Sequence, residues 1–366
     1  MSQLTNGAYQ SQGRRRASRA KRWTLVAVCI ALLGAIAYPV LDYFEVFSDK
    51  GDPISFGQGD GKGDGGGKPG SKALMPLGPD AGFKVSGTVP EDGSKIAVTT
   101  YTGKKSGFKG KVWVWAPKQY EDPKYKDKGF PVLIALPGGA GFPNNYWMGT
   151  NLKLQASVQK WADEGKSLPF IIAMPVLNPE NHDTDKNDPT PGRYWDGSDI
   201  PGQPKMGTWL TEDVPQLIKE NFRTVKSRDG WAFFGSSTGA SAGLKSVLQK
   251  PDKFKAVIAS GPDIVPDSLL WKGHEKERAD NNSKMLAQRL TAKGGPEVYL
   301  GLQVGSTEPV KPPIDAFVAK YGNKGPVKTK YHVIQGGRHN AATYVPNMES
   351  GGLIQWISRH MQGPVA

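Results

Sequence analysis

Trp231-Ala232-Phe233-Phe234-Gly235-Ser236-Ser237-Thr238-Gly239-Ala240 is the stretch that decides the fold of this chain. Its first four residues are an apolar run of strand type, and Gly235 to Gly239 spell G-x-S-x-G with Ser237 at the centre. From residue 240 to 250 the chain is rich in Ala, Leu and Ser at helical spacing, and Pro251 closes the segment. Strand, tight turn and helix in that order form a nucleophile elbow, which holds its central serine in a strained backbone conformation. The flanking glycines leave room where strand and helix crowd together. A bare G-x-S-x-G arises often by chance. Here both flanks have the required character, and Ser237 is the expected nucleophile.

Outward from the elbow, strand-like runs fall at 95–101, 111–116, 131–136, 170–175, 256–260, 297–304 and 328–334. The first two alternate apolar and polar residues and suit an antiparallel hairpin. The later ones are continuous apolar runs, as expected of strands buried on both faces. Helical spacing recurs at about 151–164, 207–222, 240–250, 275–292, 312–321 and 350–361. The alternation predicts an α/β fold, a doubly wound and mostly parallel sheet with an N-terminal antiparallel hairpin.

A serine hydroxyl is a poor nucleophile until a base takes its proton and a carboxylate orients that base. On an elbow of this kind the chain order is Ser, acid, His. Of the five histidines, His182 and His274 lie outside that order or in a polar stretch, His332 sits within a strand run, and His360 ends the last helix. His339, in Gly336-Gly337-Arg338-His339-Asn340, lies on the loop after the final strand, where the base belongs. The acid belongs on the loop after the strand at 297–304. There Gly305-Ser306-Thr307-Glu308-Pro309 offers Glu308 as the first carboxylate, with Asp315 as its rival. Two backbone N–H groups are needed for an oxyanion. One is that of Thr238, after the nucleophile. The other is expected at Gly139, in Leu136-Pro137-Gly138-Gly139-Ala140-Gly141, a turn in which Pro137 has no N–H to offer.

Together these residues resemble the esterase family of the α/β-hydrolase superfamily, which includes esterase D, feruloyl and acetylxylan esterases and the bacterial mycolyltransferases. The likeness covers roughly residues 95–360. It rests on Val132-Leu133-Ile134-Ala135-Leu136-Pro137-Gly138-Gly139, on Trp209-Leu210-Thr211-Glu212-Asp213-Val214-Pro215 with the helix leading to Asn221-Phe222-Arg223, on the elbow, and on Gly337-Arg338-His339-Asn340. The resemblance implies acyl-ester hydrolysis or acyl transfer with Ser237, Glu308 and His339 as triad and no cofactor. The chain departs from the family twice: Pro-Gly-Gly replaces the common His-Gly-Gly, and Glu308 stands where Asp is usual.

The 366 residues suffice for one large domain with extensions. Residues 1–22 are a basic tail expected in the cytoplasm, and 23–44 a transmembrane signal-anchor whose first eighteen residues carry no charge. Residues 45–82 are a flexible linker, with eight glycines between 57 and 70, and 83–366 form the α/β-hydrolase esterase domain. The competing reading is a cleaved signal peptide, with Ala35-Ile36-Ala37 as cleavage site and a secreted domain. The single cysteine, Cys29, lies in the apolar segment, which excludes an intrachain disulfide and a cysteine metal site. Of the net charge of +13, six charges fall in the first 22 residues and the rest are scattered. That pattern suits an anionic cell-wall polymer or the membrane as partner and argues against groove-specific nucleic-acid binding.

The polar segment 177–206 should overhang the pocket, and its Tyr194-Trp195-Asp196 would stack on a sugar, line an acyl groove or simply pack. Within it, Asp183 to Asp188 faintly resembles a calcium loop but lacks the glycine at the sixth position and the glutamate at the twelfth. The expected activity is that of a membrane-tethered extracytoplasmic serine esterase acting on an ester or acyl-sugar through an acyl-enzyme on Ser237. The alternatives are mycolyltransferase-like transfer to a sugar hydroxyl and a non-catalytic hydrolase-fold binding module on the cell surface.

Overall fold

A computed structural model describes residues 51–56, 70–180 and 194–366 of the chain. The basic tail, the apolar stretch 23–44, most of the glycine run and the Asp183 to Asp188 loop lie outside the described residues. No helix among the described residues is long and apolar enough to cross a membrane.

A two-stranded ribbon pairs β1 (Ala73–Leu74) antiparallel with β7 (Thr224–Val225). The main sheet has nine strands: β2 (Lys84–Thr88), β3 (Lys95–Thr102), β4 (Lys109–Trp115), β5 (Val132–Leu136), β6 (Ile171–Pro175), β8 (Trp231–Ser236), β9 (Ala256–Ser260), β10 (Val298–Gly305) and β11 (Val327–Ile334). Their spatial order is β11-β10-β9-β8-β5-β6-β4-β3-β2. From β11 to β6 neighbours run parallel, and from β6 to β2 they run antiparallel. The five central strands β5, β6, β8, β9 and β10 are buried at every residue. Continuous apolar sequence and burial on both faces are one fact seen twice.

Helices connect the parallel strands: α1 (Leu154–Asp163) after β5, α2 (Val214–Asn221) before β7, α3 (Thr238–Gln249) after β8, α4 (Glu275–Asp280) and α5 (Ser283–Lys293) after β9, α6 (Lys311–Tyr321) after β10, then α7 (Ala341–Ser350) and α8 (Leu353–His360). From β5 the chain first builds outward to β6 and then returns to the other side as β8. Strand order reverses between β5 and β8. At such a switch point the loops leaving two adjacent strands part in opposite directions and open a crevice at the strands' carboxyl ends.

The structure departs from the sequence reading in several places. The expected hairpin of β3 and β4 gains a third antiparallel strand, β2, which is short and polar and carries a bulge between Val85 and Gly87. The helix expected over 207–222 is broken by a π turn at Trp209–Asp213. The pattern at 275–292 divides into α4 and α5 because the Asn282 side chain accepts the Lys284 N–H at 2.9 Å and starts a new helix. Finally, the linker does not run unbroken to residue 82. Phe56 is buried, with its ring 4.7 Å from that of Phe222, and the Gly78 N–H donates to the Glu220 carbonyl at 2.7 Å. Segments on both sides of the glycine run are thus docked on the domain, because each carries apolar side chains or free backbone groups that the domain can satisfy.

Candidate active site

The elbow forms at the end of β8. Ser237 has φ 53° and ψ −125°, in a region where a side chain costs about 1–3 kcal/mol unless the surroundings enforce it. They do so from three sides. The Ser237 N–H donates to the Ser260 carbonyl of β9 at 2.9 Å. A Cβ on Gly235 would meet the Gly239 carbonyl at 2.5 Å, and one on Gly239 would come 2.4 Å from the carbonyl oxygens of Leu136 and Pro137. Both motif glycines are therefore required by close backbone approach. The Ser237 hydroxyl itself has no hydrogen-bond partner among the described residues.

His339 and Glu308 come to this rim from the ends of β11 and β10. Glu308 Oε2 lies 2.7 Å from His339 Nδ1. Its other oxygen accepts the Gly305 N–H at 2.5 Å and the Tyr344 hydroxyl at 2.7 Å. Burial pushes the Glu308 carboxyl up, but these three hydrogen bonds and the nearby imidazole outweigh it and hold the group below the usual glutamate range. His339 moves the other way. Its hydrogen bond to Glu308 raises it, burial works against that, and the charges of Glu308 and Asp263 raise it further, so the net shift is upward. With Nδ1 committed to the carboxylate, Nε2 is the nitrogen left for a reactant.

Asp315, the rival acid, is elsewhere. It sits on α6, with its carboxylate 2.6 Å from Lys311 Nζ and 2.7 Å from the Tyr331 hydroxyl. Among the other histidines, His332 bonds Asn347 at 3.0 Å and His360 stacks on Tyr299 with ring centroids 4.2 Å apart. His182 lies outside the described residues.

Ser237, His339 and Gly139 line one open cavity of about 530 Å³, together with Tyr146, Leu152 and Tyr344. Gly139 has φ +65°, a conformation that turns the chain sharply after β5. Among the described residues, neither the Gly139 nor the Thr238 N–H has a partner, while the Gly138 N–H is taken by the Tyr146 hydroxyl at 2.7 Å. Thr238 opens the twelve-residue α3, so its N–H belongs to the unpaired, positively polarised end of that helix.

Three residues of the site were not singled out from the sequence. Tyr344, on α7, donates to Glu308 and stands 3.1 Å from His339 Nδ1. Its only sequence signal is its place five residues past the histidine. Gly261 follows β9 with φ +58°, and a Cβ there would come 2.5 Å from the Tyr344 hydroxyl and 2.7 Å from Glu308 Oε2. Tyr146 is the third. β9 ends at Ser260 and Gly261-Pro262 follows, a pair that marks a tight turn, but no local pattern says what that turn faces.

Other motifs prove to be scaffold. Asp213 is buried and accepts the N–H groups of Lys105 and Ser106 at 2.9 and 2.8 Å, closing the turn between β3 and β4. Glu212 gathers Lys105, Lys250 and Lys253. Arg223 lays its guanidinium 4.0 Å from the Tyr120 ring centre. In the segment expected to overhang the pocket, Trp195 is buried, so it packs rather than offering a stacking face. Asp196, which accepts Trp271 Nε1 at 2.7 Å, is pushed up to about 6 by burial. With Thr238 and the buried Lys245 it lines a separate, smaller cavity, and does not line that of Ser237.

The sequence model of the family described as "Putative esterase" matches residues 105–348. An uncharacterised protein of Corynebacterium glutamicum is 22% identical over 274 residues, 69% of this chain and 58% of that protein. The S-formylglutathione hydrolase of Mus musculus is 34% identical over 67 residues, 18% of this chain and 23% of that enzyme. The chain thus matches little more than half the length of the first of these relatives and about a quarter of the second. Among solved structures, a ferulic acid esterase superposes with a TM-score of 0.55 at 18% identity, covering 73% of this chain and 99% of that one. An S-formylglutathione hydrolase from Agrobacterium tumefaciens gives 0.55 at 15% identity, covering 74% and 96%. At such identities the likeness speaks to the fold, an α/β-hydrolase-like arrangement around a mostly parallel sheet.

Proposed function

We propose, from the premise that this chain belongs to the esterase family, that it hydrolyses or transfers acyl groups through an acyl-enzyme on Ser237. The observation that carries the reading is the Glu308–His339 hydrogen bond of 2.7 Å at the wall of the cavity that Ser237 also lines, its hydroxyl without a partner among the described residues. In this reading His339 Nε2 takes the Ser237 proton as Oγ attacks the acyl carbon. The carbonyl electrons move onto oxygen, where the Thr238 and Gly139 N–H groups hold the charge. The carbon–oxygen bond to the leaving group then breaks, and that group takes the proton from His339. Water or a hydroxyl acceptor reverses the sequence and frees Ser237. Glu308 keeps the imidazole in the required tautomer and stabilises its protonated form.

The apolar stretch 23–44 and the basic tail favour a domain tethered outside the membrane, where esters of envelope sugars are accessible substrates. Labelling with a fluorophosphonate and hydrolysis of p-nitrophenyl acetate test the chemistry directly. Ser237→Ala should abolish both, with a loss of several orders of magnitude in turnover, while Ser236→Ala keeps most of the activity. Adduct formation on Ser236 would move the nucleophile by one residue. An unlabelled wild-type protein would leave the binding-module reading in its place.

A further inference from the structure

The Tyr146 hydroxyl makes contacts that a packing role alone does not require. Tyr146 opens a short 3-10 turn capped by Asn145, whose side chain accepts the Trp147 N–H at 3.0 Å and donates to the Ala135 and Pro175 carbonyls, each at 2.8 Å. The phenol is therefore fixed relative to the ends of β5 and β6. Its oxygen accepts the Gly138 N–H at 2.7 Å and is hydrogen-bonded to the Ser236 hydroxyl, next to the nucleophile. A Cβ placed on Gly138 would lie 3.1 Å from Ser237 Cβ and 3.2 Å from the Tyr146 oxygen, so the two flank a single point. Tyr146 and Ser236 both line the cavity of Ser237 and His339.

Hydrogen-bond bookkeeping then constrains the pair. Tyr146 and Ser236 carry two hydroxyl protons, and the bond between them uses one. Gly138 already donates, so it supplies a proton and consumes none. One O–H proton is left over at a wall of the cavity. When Ser236 donates to Tyr146, the phenol oxygen accepts two hydrogen bonds and its own proton is free to face a reactant. Two accepted bonds also strengthen a phenol as a donor through cooperative polarisation.

We propose that Tyr146 is a third donor to the acyl oxygen, acting beside the Thr238 and Gly139 N–H groups as negative charge develops there. This rests on the serine-esterase reading above. The proton stays on Tyr146 throughout; no bond is made or broken at the phenol. Burial, which pushes the phenol's pKa up, keeps it protonated and able to donate at neutral pH. The arrangement also gives a role to the replacement of His by Pro before the glycine pair. Pro137 has no N–H and that of Gly138 is engaged, so Tyr146 would add a donor beside the one the turn still offers at Gly139.

A purely structural tyrosine, clamping Gly138 in place, is the competing role, and ionisation separates the two. A phenolate still accepts from Gly138 and Ser236, so a clamp survives deprotonation; a donor does not. The first arm is Tyr146→Phe assayed with p-nitrophenyl acetate. Expected are a fall in kcat of about 10²- to 10³-fold, a KM within threefold, and a parallel loss of affinity for a trifluoromethyl ketone that forms a tetrahedral adduct. Ser236→Ala removes one of the two bonds that polarise the phenol but leaves its proton, so its loss of kcat should be much smaller than that of Tyr146→Phe.

The second arm covers a Tyr146→Phe protein that does not fold. Fluorinated tyrosine at position 146 preserves shape while making the phenol more acidic. Activity should then acquire a basic limb at the pH where that phenol ionises, absent from the unmodified enzyme. An unchanged pH profile, or Tyr146→Phe within threefold of wild type, overturns the proposal. Fluorophosphonate labelling of the wild-type protein is run alongside. Failure there sinks the serine-esterase reading itself, whereas labelling with an indifferent Tyr146 sinks only the third donor.

Discussion

Two regions of this molecule look equally conspicuous in the sequence and do opposite work. At the carboxyl rim of the sheet, the loops after β5, β8 and β11 line one open cavity, with turns of positive φ at Gly139 and Ser237, while Gly261 after β9 and Glu308 after β10 stand behind His339 and Tyr344. On the far flank, Trp209 to Pro215 and Asn221 to Arg223 stitch the antiparallel strands and N-terminal segments to the domain. Both regions contain buried carboxylates with short hydrogen bonds. The partners separate them. Asp213 accepts two backbone N–H groups and holds a loop closed. Glu308 spends one oxygen on a backbone N–H and a phenol and aims the other at a titratable imidazole that lines the open cavity. A motif marks a backbone constraint; the chemistry of its partner says what the constraint serves.

The largest effect expected from this contrast is at Glu308. Glu308→Gln keeps the shape but cannot stabilise an imidazolium, and turnover of p-nitrophenyl acetate should fall about 10³- to 10⁴-fold with the fold intact. Asp315→Asn, whose partners are Lys311 and Tyr331, should leave turnover close to wild type. A dead Asp315→Asn beside an active Glu308→Gln would transfer the role and break the division drawn here.

Asp213→Ala provides the mirror experiment. It removes the buried acceptor of two N–H groups on a partly exposed turn, at a cost of about 1–3 kcal/mol. The midpoint of thermal unfolding should drop by several degrees, while kcat per folded molecule stays within about twofold of wild type. A large loss of kcat without a change in stability would place the far flank in the catalytic apparatus after all.

These outcomes bear on what the sequence could disclose. The central strands were readable because burial on both faces demands uninterrupted apolar runs, and 256–260 matches β9 residue for residue. Ser237, His339 and Glu308 could be nominated because each follows a strand directly, at the sheet edge where loops diverge. What escaped was either irregular or long-range. β2 contains a glycine and a bulge, and α7 carries Pro346 in its interior, so neither shows a clean period. Tyr344 and Tyr146 serve the site through partners 36 and 90 positions away, Glu308 and Ser236. No local pattern encodes such a partner. The short segments before residue 83 were missed for the same reason: Phe56 is buried only because Phe83 and Phe222 are folded against it.

The smallest expected effect tests how far the rim's electrostatics reach. As general base, His339 must be neutral, so kcat/KM falls as pH drops through its pKa. The hydrogen bond to Glu308 raises that pKa above the ordinary histidine value of 6.5, with burial opposing and the charges of Glu308 and Asp263 assisting. The acid limb should therefore lie above pH 6.5. Asp263 makes no hydrogen bond to the imidazole among the described residues and acts through its charge alone, so Asp263→Asn should move the limb to lower pH, with the plateau rate nearly unchanged. The shift must be smaller than that produced by Glu308→Gln, which removes the hydrogen bond and a closer charge together. It should also shrink in high salt, because a through-space interaction is screened while a buried hydrogen bond is not. Asp213→Asn, on the other flank, should leave the limb where it is. An Asp263→Asn limb displaced upward would mean that the Asp263 charge does not favour the imidazolium, whereas a downward shift as large as that of Glu308→Gln and indifferent to salt would mean that Asp263 contacts the base directly and that the site holds two carboxylate partners instead of one.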